Sequence, residues 1–341
     1  MQKPALFGKT LSELQAICLE LGLPKFTAKQ ICDWLYKKEI SSIEEMTNLS
    51  KKARILLEEK YEYGLIEPIK VQESTDGTKK YLFPATGSKY IETAMIPDRE
   101  RRTVCVSSQV GCKMNCLFCM TGKQGFQSQL TAGEILNQIR GIAEYNDITN
   151  VVYMGMGEPF DNLDEVLKST EILTADWGMA KSPRRITVSS IGMFDSLCRF
   201  LDESECHLAI SLHNPFHQER KELMPMEVKH KLKDMLDVIR KHDLGGQRRV
   251  SFEYIVFPGL NDSSAHVREL AKMLSGIKCR MNLIRFHKIP GTSLRSTTDS
   301  SIERFKESLE AKGIITTIRA SRGQDIFAAC GLLSTKELLK K

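Results

Sequence analysis

No run in this 341-residue chain approaches the roughly 18 consecutive apolar residues that a membrane-spanning helix needs. Its start, Met1-Gln2-Lys3-Pro4, lacks the basic and apolar regions of a signal peptide. The ten cysteines mostly stand singly, as at Cys18, Cys32, Cys198, Cys206 and Cys279, or gather in one cluster. That pattern excludes the disulfide framework of a small secreted domain. Internal repeats and low-complexity linkers are absent. So is a strong charge excess: 49 Lys and Arg against 43 Asp and Glu leave +6, which many enzymes of small molecules share. The expectation is a cytoplasmic protein free of the membrane, with two or three domains at about 150 residues each.

What is present concentrates in one short run, Gly111-Cys112-Lys113-Met114-Asn115-Cys116-Leu117-Phe118-Cys119. The spacing Cys-x3-Cys-x2-Cys offers three thiolates to three irons of a 4Fe–4S cube and leaves the fourth iron without a protein ligand. Such an iron can chelate the amino and carboxylate groups of S-adenosylmethionine (SAM) and pass one electron into its sulfonium. The 5′-deoxyadenosyl radical that results is cofactor chemistry, which the protein positions. A zinc knuckle with Cys105 as fourth ligand is the competing reading. Structural zinc sites pair Cys-x2-Cys with a second, distant pair, and this chain has none.

The first sixty residues read as helices. Thr10-Leu11-Ser12-Glu13 is a capping box, with Leu11, Leu14, Ile17 and Leu21 at helical spacing. Thr27 opens a second helix burying Ile31, Trp34 and Leu35, and Ser41 and Ser50 are expected to begin two more. A short β-rich stretch follows, with turns at Asp76-Gly77 and Gly87. From Thr103, strands alternate with helices; the strands are expected at 103–107, 150–154, 185–189, 207–212, 250–256 and 279–286. Six β/α units in series imply a parallel sheet, too few for a closed eight-stranded barrel. The expected fold is therefore α/β: a partial (β/α)6 barrel over 99–320, behind a helical, RNA-binding domain (1–62) and a β-rich extension (63–98), and before a tail (321–341). Ligands then belong at the C-terminal strand ends.

Those ends carry Gly155-Met156-Gly157-Glu158-Pro159, Ser189-Ser190 and Ser211-Leu212-His213. Glu158 can accept from an ammonium group such as that of SAM, and the serines and His213 offer hydrogen bonds. Each alone is weak: a Gly-x-Gly turn is most often only a turn, and a lone histidine most often structural. Basic residues collect at element ends, at Arg99, Arg101 and Arg102, at Arg184 and Arg185, at Arg248 and Arg249, and at Lys336, Lys340 and Lys341. They suit a phosphate backbone and equally an ordinary solvated surface.

Cys105-Val106-Ser107-Ser108-Gln109-Val110-Gly111-Cys112, the Gly155–Pro159 and Ser211–His213 motifs, and Ala328-Ala329-Cys330-Gly331 together resemble the radical SAM RNA methyltransferases. That family includes enzymes methylating adenosine C2 in 23S rRNA and tRNA, and a resistance enzyme methylating C8. The resemblance spans nearly the whole chain, and it implies chemistry that suits the substrate. Adenine C2 is an electron-poor amidine carbon that cannot attack a sulfonium methyl group, so a radical route with a methyl carrier is needed.

By resemblance, Cys330 takes a methyl from a first SAM, and the radical from a second SAM removes hydrogen from that S-methyl group. The methylene then adds to the ring and joins protein to RNA. Cys105 resolves the adduct through a disulfide with Cys330, and Glu92 accepts the ring proton. The resemblance further implies one 4Fe–4S cluster on Cys112, Cys116 and Cys119, and SAM contacts from Gly157, Glu158, Ser189, Ser211, Leu212, His213 and His287. His287 stands where the family places an asparagine, and Leu332 where it has glutamine; Pro159, which is alanine in the C8 enzyme, favours C2. A flavodoxin-like electron donor and a monomeric state complete the expectation. The rivals are a radical SAM enzyme of proteins or small molecules, with Cys330 incidental, and a non-catalytic, metal-stabilised RNA-binding protein. Replacing any of Cys112, Cys116 or Cys119 with Ala should abolish both the visible iron–sulfur absorption and reductive SAM cleavage; a triple variant retaining full iron content would reject the assignment.

Overall fold

The computed structural model describes residues 3–245 and 248–335; Lys336, Lys340 and Lys341 lie outside them. Three helices open the chain, α1 (Leu11–Glu20), α2 (Thr27–Lys37) and α3 (Lys51–Lys60). The capping box forms: Thr10 Oγ1 accepts from Glu13 N at 3.2 Å, and Glu13 Oε2 accepts from Thr10 N at 2.7 Å. Ser50 caps α3 by accepting from Ala53 N. The helix expected from Ser41 is absent. Ile43, Met46 and Leu49 are buried at every third residue, and the chain reaches them by i+3 turns, Met46 N to Ile43 O and Leu49 N to Met46 O. A period of three suits such tight turns better than the 3.6 of an α-helix. Trp34, expected in the core, is only half-buried.

The extension is a meander of β1 (Lys70–Glu73), β2 (Lys79–Ala85) and β3 (Lys89–Asp98), and β3 pairs antiparallel with β4 (Arg101–Cys105). A two-residue ribbon, β5 (Gln109–Val110) with β6 (Ser128–Gln129), brackets the cysteine loop and the short α4 (Met120–Gln124). Then come α5 (Ala132–Arg140), β7 (Asn150–Tyr153), α6 (Leu163–Thr174), β8 (Ile186–Ser190), α7 (Phe194–Glu203), β9 (His207–Ser211), α8 (His217–Leu223) and α9 (Leu232–Lys241). They are followed by β10 (Val250–Val256), α10 (Ser264–Leu274), β11 (Cys279–Arg285), α11 (Asp299–Glu310) and β12 (Thr316–Ile318). Ten strands form one sheet in the order β1-β2-β3-β4-β7-β8-β9-β10-β11-β12, parallel from β4 onward. All six expected parallel strands are present. The short β12, α7 and α8 are additions that sequence patterning missed.

Register assigns the two faces, because side chains alternate along a strand. One face carries Glu92 and Ala94, Cys105, Val152, Ser189, Ala209 and Ser211, Ser251 and Glu253, Asn282, and Thr317 across successive strands. The other carries Val104, Val151, Tyr153, Ile186, Val188, Leu208, Ile210, Phe252 and Tyr254, all buried beneath the helices. The apolar face is the core; the polar face lines the barrel interior. The core runs without a break into Leu14, Ile31 and Leu35 of the N-terminal helices. Those helices are tied to the barrel by Glu13 on Lys168 at 2.6 Å, and Asn137 Nδ2 donates to Gly64 O at 3.1 Å. Among the described residues no helix is long and apolar enough to cross a membrane. Phe252 is fully buried in β10, so Phe252→Ala should cost about 3–5 kcal/mol, read as a lower urea midpoint.

Candidate active site

The cysteine loop leaves β4 through Ser107, which buried Gln138 of α5 grips on both main-chain sides, donating to Ser107 O at 2.8 Å and accepting from Ser107 N at 2.7 Å. Gly111 has φ 74°, and a Cβ there would fall 1.7 Å from Gly125 O, so the loop can double back only with glycine. Cys112 and Cys116 are buried and Cys119 is half-buried at the start of α4. Burial pushes the Cys112 thiol up to about 12 and Cys116 well above its ordinary value; charge on Cys119 raises both further. Three thiols so placed, walled by Met114, Phe118, Ile255, Phe257 and Phe286, fit a multi-iron cluster whose positive charge would hold each as a thiolate. Cys105 does not join them. It faces the barrel interior among Ala94, Val152 and Ala328, which removes the fourth ligand of the zinc reading.

Gln109 couples this loop to the next. Its Oε1 accepts from Glu158 N at 2.8 Å, and its Nε2 donates to Asp161 Oδ2 at 2.6 Å. Gly157, at φ 103°, permits the approach: a Cβ would lie 2.6 Å from that of Gln109. The buried Glu158 carboxylate accepts from Phe160 N at 2.9 Å and Ile191 N at 3.0 Å; desolvation nonetheless pushes it up to about 7. Ser189, next to last in β8, and Ser211, last in β9, lie on the inner face. Leu212 turns its side chain into the main core, and its N–H and carbonyl are taken by Glu253 O and Arg220 Nε.

His213 is buried at φ 55° and packs edge-on against Phe118, ring centroids 4.7 Å apart. Its Nδ1 accepts from Ile255 N at 3.0 Å, so the proton sits on Nε2. Burial, aided by the Arg220 charge, pushes it down to about 3 and keeps the ring neutral. His287, half-buried just past β11, is also pushed down by burial beside Arg285. Glu158, Ser189, Ser211, His213 and His287 thus all stand at or just beyond C-terminal strand ends.

The tail crosses the barrel mouth. Gly323 N donates to Asp76 Oδ2 at 2.9 Å and Ser74 Oγ to Asp325 at 2.5 Å. Further on, Met120 N donates to Gly331 O at 2.8 Å and Thr121 Oγ1 to Leu333 O at 2.7 Å. Ser334 N donates to Glu92, which also pairs with buried Lys80 at 2.9 Å. Ala328 packs on Cys105 while Ala329 and Leu332 pack on the cysteine loop, so Cys330 is delivered between the two. Burial pushes Cys105 up to about 12, a Cys330 charge adds to this, and Arg319 opposes it.

Arg319 was not foreseen from sequence, nor was its partner. Its Nε lies 3.1 Å from Glu253 Oε2 and its Nη2 donates to Oε1 at 3.1 Å. Asn282 Nδ2 and Ser251 Oγ also donate to Oε1, at 2.8 and 3.1 Å, while the buried Oε2 accepts no hydrogen bond and meets only the nearby Arg319 charge. One signal was available: Glu253 is the single charge inside the apolar run Val250–Val256.

Comparison with known proteins agrees with this geometry. Residues 106–273 match the radical SAM superfamily, and residues 5–62 match the N-terminal domain of ribosomal RNA large subunit methyltransferases. A probable dual-specificity RNA methyltransferase RlmN of Bacteroides fragilis is 56% identical over 335 residues, 98% of this chain and 97% of that protein. The dual-specificity RNA methyltransferase RlmN of Desulfotalea psychrophila is 40% identical, across 98% of this chain and 96% of its own. The chain belongs to the dual-specificity RNA methyltransferase family. A crystal structure of a radical SAM methyltransferase from Sphaerobacter thermophilus superposes with a TM-score of 0.90 at 37% identity, covering 97% of this chain and 99% of that one. Like its family, the protein uses a 4Fe–4S cluster and SAM.

In this methyltransferase Leu332 is buried in the apolar wall of the cysteine loop, so the glutamine-to-leucine departure leaves the tail docked by packing. Pro159 starts a short 3₁₀ turn, Pro159–Asn162, immediately after Glu158. The rim itself hangs on Arg220, fully buried, which donates to Ser211 O at 2.8 Å, Leu212 O at 2.9 Å and Ile191 O at 3.4 Å and pairs with Glu227. Arg220→Met would leave Glu227 buried without its cation. A loss of about 3–5 kcal/mol is expected in denaturant unfolding, with weaker SAM binding by calorimetry.

Proposed function

We propose that this chain methylates C2 of adenosine in 23S rRNA and in tRNA, through a methyl carried on Cys330. The observation that supports it most is the placing of exposed Cys330 near buried Cys105, close enough for their charges to interact, after Ala328 grouped with Cys105 and Ala329 grouped with the cysteine loop. Two thiols there are the parts a carrier-and-resolver scheme needs, and the relatives' names supply the RNA. A cluster held by Cys112, Cys116 and Cys119, together with SAM, would supply the radical that opens a C–H bond no ionic displacement reaches.

The chain's own residues do the rest. Glu158 accepts from the SAM ammonium; Gly157 lets the backbone approach; Ser189, Ser211, His213 through Nε2–H, and His287 hydrogen-bond the cofactor, while Leu212 fixes the turn. Cys330 holds the methyl group, Glu92 takes the ring proton, and Cys105 frees the product by pairing with Cys330. The helical module at 1–62 and the arginines at 99, 101 and 102 bind RNA, while a flavodoxin-like donor serves a cytoplasmic monomer.

Cys105→Ala should accumulate enzyme cross-linked to RNA through Cys330. Cys330→Ala should form no cross-link, and the double variant should match it because the carrier acts first. A denaturing gel with and without ribonuclease reads this out. A Cys105→Ala protein free of adduct, with cluster intact and Cys330 methylated, would reject the scheme. Mapping methyladenosine in RNA from cells with and without the protein separates C2 from C8.

A further inference from the structure

We propose that the Arg319 guanidinium, clamped by Glu253, is the positioning group that stabilises the Cys105 thiolate as it forms for release of the methylated RNA. This rests on the reading of Cys105 as the resolving thiol. The geometry is one-sided. The Nε–Nη2 edge faces Glu253: Nη2 donates to Oε1, which Ser251 and Asn282 also hold, and Nε lies 3.1 Å from Oε2 as an ion pair. The Nη1 corner turns the other way, toward Met154 Sδ at 3.5 Å, and Met154 packs in the small group that contains Cys105 and Ala328. One edge of the cation therefore faces the carboxylate and the opposite corner faces the group that contains Cys105, while the Glu253 charge also reaches Cys330 and raises its thiol. Charges on Cys105 and Cys330 both stabilise the Arg319 cation, and Arg319 acts reciprocally on Cys105. The other ionisable groups here are Cys330 itself, on which Cys119 acts; Arg101, on the same face of β4 as Cys105 and opposed by the Arg319 charge; Arg280, in register with Ser251; and, two residues along β3 from Ala94, Glu92 paired with Lys80.

The step needs an anion. Starting from the closed-shell thioether that joins the ring to Cys330, the Cys105 thiolate gives an electron pair to the Cys330 sulfur. The S–S bond forms and the sulfur–methylene bond breaks. Its electron pair passes to the methylene carbon, which takes a proton to become the methyl group. A buried thiol with no cation near it would rarely supply that anion at neutral pH.

The test compares Arg319→Met and Arg319→Gln with the parent and with Arg319→Lys, in full-length, cluster-loaded protein. Adduct formation on Cys330 should proceed in all four. Release should slow about tenfold or more at neutral pH in the uncharged variants and recover as pH rises, its profile moving up by a unit or more. Arg319→Lys should keep most of the rate. Independently of turnover, iodoacetamide labelling of Cys105 followed by peptide mass spectrometry should show the same alkaline displacement. Uncharged variants that release adduct at the parental rate, with labelling profiles unchanged, overturn the role of Arg319 and leave the two-cysteine scheme standing. Absence of adduct in Cys105→Ala instead removes the scheme beneath it.

Discussion

Ala328 and Ala329 face opposite sides of the tail, the first onto Cys105 and the second onto the cysteine loop. Side chains this small let the tail backbone lie close to both, and Gly331 O then accepts from Met120 N directly behind Cys119. The placing of Cys330 depends on this one crossing. Each main-chain hydrogen bond that pins it is worth about 0.5–1.5 kcal/mol, so several are needed to hold a segment without secondary structure of its own. Donors Met120 N and Thr121 Oγ1 and acceptors Asp76 and Glu92 are spread along the tail, on both sides of Cys330.

A buried charge is costly without a partner, and three buried carboxylates here have a cation each, while Glu158 has only hydrogen bonds and is pushed up by desolvation. Glu92 has Lys80, Glu253 has Arg319, and Glu227 has Arg220. Such pairs seldom add stability over well-packed apolar residues, although breaking one is expensive. Stability alone therefore does not account for these pairs. The outer face tells the opposite story, with valine, isoleucine, leucine and aromatics sealed under helices.

Much of this was legible in the chain. The spacing of Cys112, Cys116 and Cys119 announces its chemistry locally, and the six parallel strands were visible as apolar runs between capped helices. Elements of three to ten residues, β12, α7 and α8, carry too little pattern to stand out. The Ser41 segment misled because its serines do engage Glu45, yet the apolar spacing behind them is three. Arg319 and Glu253 were out of reach for another reason. Sixty-six residues separate them, and only the curl of the sheet places β10 and the end of β12 around the same sulfur atoms. Leu212 shows the same limit: the motif Ser211-Leu212-His213 does not reveal that strand alternation sends the middle side chain into the core.

The continuity of β3 with β4 has a further consequence. Residues from Ala94 to Asp98 occupy the whole hydrogen-bonding edge of β4, from Cys105 back to Arg101. The sheet instead ends on β1, short and fully exposed with a charge at each end, and on β12, only three residues long. Both ends are poor templates for another strand. A barrel severed at residue 98 would carry a bare, regular edge next to an apolar core and would add copies of itself there. The meander therefore serves as a plug against self-association, which ties the colloidal behaviour of the barrel to a segment outside it.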